Sequence, residues 1–167
     1  MTKAPKQSSS ERWLAPFYRL VGTWSTEATH PAVPGVVVRG ASVFEFLEGE
    51  RFLIQRARAD HPDFPDSIAI IGCTEQDLAD EGSGTEAASD GDPLLTMHYF
   101  DSRGVFRLFE VAMDNDAWRV WRRAPGFSQR FTGTLTDGGD TVAGIWELCR
   151  DDVHWADDLK ITYRRRR

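Results

Sequence analysis

Two short motifs at the ends of this chain constrain its fold more than anything between them. Gly22-Thr23-Trp24 follows an N-terminal segment with helical spacing, and the last strand-like run ends in arginine, Ile161-Thr162-Tyr163-Arg164. A Gly-x-Trp opening the first strand, with an arginine from the last strand laid over the indole, seals one end of a small antiparallel barrel. A guanidinium stacks favourably on an indole face, so the pair Trp24 and Arg164 would make first and last strands neighbours. The sheet would then close on itself, which removes the exposed edges that an open sheet leaves.

The segments between the motifs fit that closure. Ser8-Ser9-Ser10-Glu11 offers a helix N-cap, and Trp13, Leu14, Phe17, Tyr18 and Val21 recur at helical spacing. Pro16 restricts this helix to a short or bent one, placed as a plug across one mouth. Strand-like runs follow at 24–30, 36–47, 51–60, 67–74, 94–100, 105–113, 118–123, 129–136, 141–149 and 155–164. The breaks between them, such as Asp101-Ser102-Arg103-Gly104 and Asp137-Gly138-Gly139-Asp140, are rich in residues that tolerate turn geometry. Short sequential connections predict an up-and-down meander. The expected fold class is therefore all-β, a closed antiparallel up-and-down β-barrel of about 8–10 strands with a short N-terminal helix. A two-layer sandwich is the competing all-β arrangement.

The length, 167 residues, suits one domain. A tail at 1–10 precedes a single barrel domain at 11–167, interrupted by a low-complexity acidic loop at 77–92 that is expected to be disordered. That loop holds six acids and no Lys or Arg, so the remainder balances 20 basic against 20 acidic residues. A neutral barrel lacks the basic face that phosphate binding needs, which argues against nucleic acid as a partner. No apolar run approaches membrane-span length and the N-terminus lacks a secretory apolar stretch, so no membrane association and a cytoplasmic location are expected. Cys73 and Cys149 are far apart and read as small apolar side chains inside strands.

Gly22-Thr23-Trp24 behind a short helix, with a Tyr163-Arg164 ending, resembles the calycin superfamily of lipocalins, fatty-acid-binding proteins and nitrobindins. More closely, the chain from Leu20 on looks like an uncharacterised group of bacterial lipocalin-like barrels. The stretches that carry this likeness are His61-Pro62-Asp63-Phe64-Pro65-Asp66-Ser67, His98-Tyr99-Phe100-Asp101-Ser102-Arg103-Gly104, Phe127-Ser128-Gln129-Arg130-Phe131 and Trp146-Glu147. The resemblance implies the barrel and carries over no established activity. Haem barrels of the nitrobindin type have glycine-rich sequence after the Trp, where this chain runs Ser25-Thr26-Glu27, and His154 falls in an Asp-rich turn.

Alternate residues of a barrel strand point inward. Trp24 sets the phase of the first strand and places Thr26, Ala28 and His30 inside with it. Arg56 and Arg58 share a face with Phe52 and Ile54; turned inward, Arg56 would clamp a carboxylate or other oxyanion. Turned outward, the two form a basic stripe. In a nearly symmetric alternation either His98 or Tyr99 can reach the interior, His98 as a proton donor or acceptor. Trp118, Trp121, Trp146 and Trp155 supply aromatic walls, and Arg107, Arg119, Arg122, Arg123 and Arg130 stand near them in sequence. Cation–π stacking is a sufficient structural reason for these neighbours, with room for one or two arginines in a pocket lining. Glu147 is either paired with an arginine such as Arg130 across the sheet or kept protonated as an acid.

These residues rank three functions. The first is binding of a small, mostly apolar molecule in the barrel interior, without chemistry, through Trp24, Arg56, His98, Tyr99, Trp121, Arg130, Trp146 and Glu147. The second is a cyclase or isomerase in which the cavity folds a flexible substrate and His98 or Glu147 moves a proton. The third is haem or another tetrapyrrole. The leading reading calls for no cofactor and no metal, and a homodimer through an exposed barrel face is compatible with all three.

Overall fold

The computed structural model describes residues 13–73 and 95–167. The expected tail at 1–10, the Ser8–Ser10 cap and the acidic loop at 77–92 lie outside them. The protein is a closed barrel of ten antiparallel strands in chain order. They are β1 (Gly22–Thr29), β2 (Val38–Phe46), β3 (Leu53–Ala59), β4 (Ser67–Gly72) and β5 (Leu95–Asp101), followed by β6 (Phe106–Asp114), β7 (Ala117–Arg122), β8 (Ser128–Thr136), β9 (Thr141–Cys149) and β10 (Trp155–Arg165). Each strand pairs with its sequence neighbours, and β1 closes the cylinder on β10. The sandwich alternative is therefore excluded.

Turn chemistry sets the meander. The Asp101 carboxylate accepts from the amides of Arg103 (2.9 Å) and Val105 (3.2 Å), and Gly104 closes the turn at φ +80°. Ahead of β1, the chain forms a 3-10 helix, Ala15–Leu20, in place of a regular α-turn. Pro16 at its start removes a backbone donor, and Leu14, Phe17 and Leu20 are buried under the barrel. Among the described residues no helix is long and apolar enough to cross a membrane.

Trp24 is fully buried, and its Nε1 donates to the Leu20 carbonyl at 2.7 Å. The arginine across it is Arg165, not Arg164. Arg165 is the register partner of Trp24, its Cζ lies 4.2 Å from the indole ring, and its guanidinium reaches the carbonyls of Val21 and Arg19, each at 2.6 Å. Arg164 points outward to Glu27 at 3.1 Å. With Tyr163 buried, strict alternation sends Arg164 out and Arg165 in. Gly22 belongs to the same seal. A Cβ there would sit 3.0 Å from Arg165 Nη1, and its φ of +127° is one that glycine adopts without strain.

Candidate functional site

Above this seal the barrel is hollow. A cavity of about 510 Å³ runs from the Trp118–Tyr163 layer to a mouth formed by the β1–β2, β3–β4 and β5–β6 loops. Its size falls within the range of small-molecule pockets.

One wall is aromatic. The rings of Phe109, Trp146 and Phe131 follow one another at centroid separations of 5.7 and 5.2 Å, and Trp118 meets Phe131 at 4.9 Å. Gly133 and Gly144 face each other in the β8–β9 register, and the Phe131 ring occupies the space that their side chains would fill.

The opposite side is polar. Gln55 Nε2 donates to Ser42 Oγ at 3.1 Å, and the Tyr163 hydroxyl bonds to Gln55. Burial pushes the Tyr163 hydroxyl up to about 12, with the Gln55 bond opposing it. At the mouth, His30 Nε2 stands 3.0 Å from Asp158 Oδ1, and His30 Nδ1 accepts from the Ala32 amide at 3.0 Å. Tyr99 points inward and donates weakly to Asp101 at 3.4 Å; burial first, and the Asp101 charge second, push its phenol up. Burial would raise the Asp101 carboxyl, but the hydrogen bonds from Val105 and Arg103 outweigh it and hold the group low. Two buried side-chain atoms of lining residues, Trp118 Nε1 and Gln129 Oε1, have no hydrogen-bond partner among the described residues.

The sequence candidates divide by strand phase. Tyr99 and Trp146 line the cavity, while Trp24 lies beneath it as the seal. Thr26, Ala28 and His30 share the inward face with Trp24. Arg56 does not enter: β3 turns Gln55, Ala57 and Ala59 inward, and Arg56 pairs outside with Glu45. His98 is exposed beside Phe106, because Met97 and Tyr99 take the inward positions of β5. Trp121 is outside and donates to Glu110, since Trp118 and Val120 hold the inward phase of β7. Arg130 and Glu147 face each other across β8–β9 on the outer wall in a two-point ion pair of 2.6 and 2.8 Å. Arg130 also stacks over Trp155 at 4.3 Å. Arg130 and Trp155 border a groove on the outer wall, where Glu147 meets the Arg130 charge.

Of the four histidines, only His30 lines the cavity, and both its ring nitrogens are engaged. His154 lies outside, paired with Asp151 at 2.7 Å. The interior therefore presents no free imidazole of the kind an axial haem ligand requires.

No protein-family model and no curated protein matches the chain. The chain is similar in structure to Rv2717c from M. tuberculosis. The two superpose with a TM-score of 0.57 at 14% identity, over 92% of this chain and 97% of that one. At that identity the likeness speaks to the fold alone, a closed antiparallel barrel.

Sequence reading did not place Gln55, Gln129, Phe131 or Asp158 in the cavity lining, and left Arg107 undifferentiated among several arginines. For Arg107 a signal was present. Phe109, Val111 and Met113 are buried at every second position of β6, and that phase carries Arg107 inward with them.

Proposed function

We propose that this protein binds a small, mostly apolar molecule inside the barrel. The observation that carries the reading is the cavity itself, where a wall of Phe109, Trp146 and Phe131 faces a few fixed polar groups. Apolar pockets with a small number of placed polar groups are the usual form of a ligand site.

The cyclase or isomerase reading loses its named groups, since His98 and Glu147 stand on the outer face. Binding is tested with the neutral dye Nile red and the cavity-blocking variant Ala57→Trp. Wild type is expected to bind the dye saturably, one per chain, and Ala57→Trp to lose at least tenfold in affinity while keeping its far-ultraviolet spectrum. Absence of saturable binding by wild type, or undiminished binding by the blocked barrel, would refute the reading.

A further inference from the structure

Four arginines border the cavity, and three are already matched to carboxylates. Arg39 pairs with Glu27 at 3.4 Å, Arg58 with Asp66 at 3.9 Å and Arg103 with Asp101 at 3.2 Å. Arg107 is the exception: among the described residues no carboxylate pairs with it, although it is half-buried on the inward face of β6 opposite Tyr99. Among the described residues its specific contact is the ring of Phe127, 5.0 Å from its Cζ.

That ring gathers further positive charge. Arg150 Cζ lies 5.4 Å from the same centroid, and Arg122 Nη1 donates to the Phe127 carbonyl at 3.1 Å. Neither has a carboxylate partner among the described residues. The carboxylate of Asp152, close by in sequence, accepts from the Gly126 amide at 2.8 Å and forms no ion pair among the described residues. Two guanidiniums at one aromatic ring, with a third bonded to that residue's backbone carbonyl, repel one another. Like charges collected without counter-charge raise the local potential and attract an anion. A planar guanidinium holds an oxyanion at two points.

We infer that the cavity's ligand is an amphipathic anion, with its apolar body against the Phe131–Trp146 wall and its carboxylate or other oxyanion head held at the mouth by Arg107. This rests on the interior-binding reading above and specifies its ligand class. Arg122 and Arg150 act through the field around Phe127, and Tyr99 stands across from Arg107 to flank the head group.

The experiment compares 1-pyrenebutyrate with 1-pyrenebutanol, which share one apolar body and differ in the charged head. Wild type is expected to bind the carboxylate about tenfold more tightly than the alcohol, since a hydrogen-bonded charge pair of this kind reaches that size. Arg107→Gln abolishes the preference and leaves alcohol affinity within about twofold, whereas Arg119→Gln on the outer wall keeps it. Added salt shrinks the wild-type preference. Equal binding of both probes by wild type, or a preference that survives Arg107→Gln, overturns the anion assignment and leaves interior binding standing. Failure of wild type to bind either probe removes interior binding, and this inference falls with it. Thermal melts of each variant separate lost recognition from lost folding.

Discussion

Replacing Arg165 or Arg164 with methionine distinguishes the two arginines that end β10. Methionine keeps most of the aliphatic stem and removes the guanidinium, so the comparison isolates the head group. At Arg165 the head lies over the Trp24 ring at 4.2 Å and donates to the carbonyls of Val21, Arg19 and Gly139 at 2.6, 2.6 and 3.1 Å. The side chain is 24% exposed, so these bonds are only partly screened. A stack of this type contributes about 0.5–2 kcal/mol, and each buried acceptor left unpaired costs about 1–3 kcal/mol. Water reaches some of the freed carbonyls, which brings the expected loss for Arg165→Met to about 3–4 kcal/mol. For a domain of this length that lowers Tm by about 6–16 °C. Arg164 pairs with Glu27 with side chains 58% and 42% exposed, and exposed pairs of this kind contribute little. Arg164→Met should leave Tm nearly unchanged. Urea unfolding followed by tryptophan fluorescence gives both numbers, with equal slopes confirming comparable unfolded states. A loss at Arg164→Met as large as that at Arg165→Met would refute the strand phase on which the sealed end and the cavity lining depend.

Three further outcomes follow from the same geometry. Gly144→Ala places a methyl group into the Phe131 ring, and overpacking should cost about 1–3 kcal/mol by urea midpoint and weaken pyrene binding as the ring moves into the cavity. The Tyr163 hydroxyl, held near 12 by burial against an ordinary value of 10.0, contributes stability that is whole below pH 10 and fades as pH climbs toward 12. The difference in tyrosinate absorbance between wild type and Tyr163→Phe should show a single step near that upper value, and a step near 10 would place the phenol in solvent. The Asp151 carboxyl is pulled down from 3.8 to about 2, first by the His154 amide, then by the His154 ring and the Val153 amide. A lowered carboxyl stabilises the turn above its unfolded value and loses that contribution as pH falls toward 2, so carbon NMR of Asp151 should titrate near 2.

The fold was legible because its strongest signals are local. Turn residues fall between β-rich runs, and every strand begins and ends within two residues of where the sequence placed it. Strand phase was legible only where an anchor existed. Trp24 supplied one for β1, so Thr26, Ala28 and His30 fell inside as expected. On β10 the register shifts between Asp157 and Leu159, and alternation counted forward through such a bulge arrives one residue out of phase. The sequence reading ended the last strand at Arg164, whereas β10 runs on to Arg165, the residue across from Trp24. Arg56 and Glu147 each interrupt an otherwise apolar run. Their interruption reflects alternation on a barrel whose outer face also carries Phe100, Phe106 and Leu108, exposed at 41%, 56% and 48%. With apolar residues on both faces of β5 and β6, composition alone does not say which way His98 points.

The contrast between the two ends of the cylinder bears on what such a barrel is for. Arg165 at the closed end is supplied with acceptors from the helix carbonyls, the β8–β9 turn and Asp140, and it fixes one geometry. Among the described residues, Arg107 at the open end meets only the face of Phe127. Both sit in the inward phase, and both are too long to be ignored by the strands around them. An arginine that serves stability gains from satisfied donors, because each unmet one costs desolvation without return. An arginine that serves recognition must keep its donors uncommitted until the ligand arrives, and the protein carries that cost in its free state. The prediction that separates these roles is a reversal of rank: Arg165→Met should lower Tm and leave the carboxylate-over-alcohol preference intact, whereas Arg107→Gln should do the opposite. A protein in which both substitutions moved stability alone would have a structural arginine at each end and no anion site.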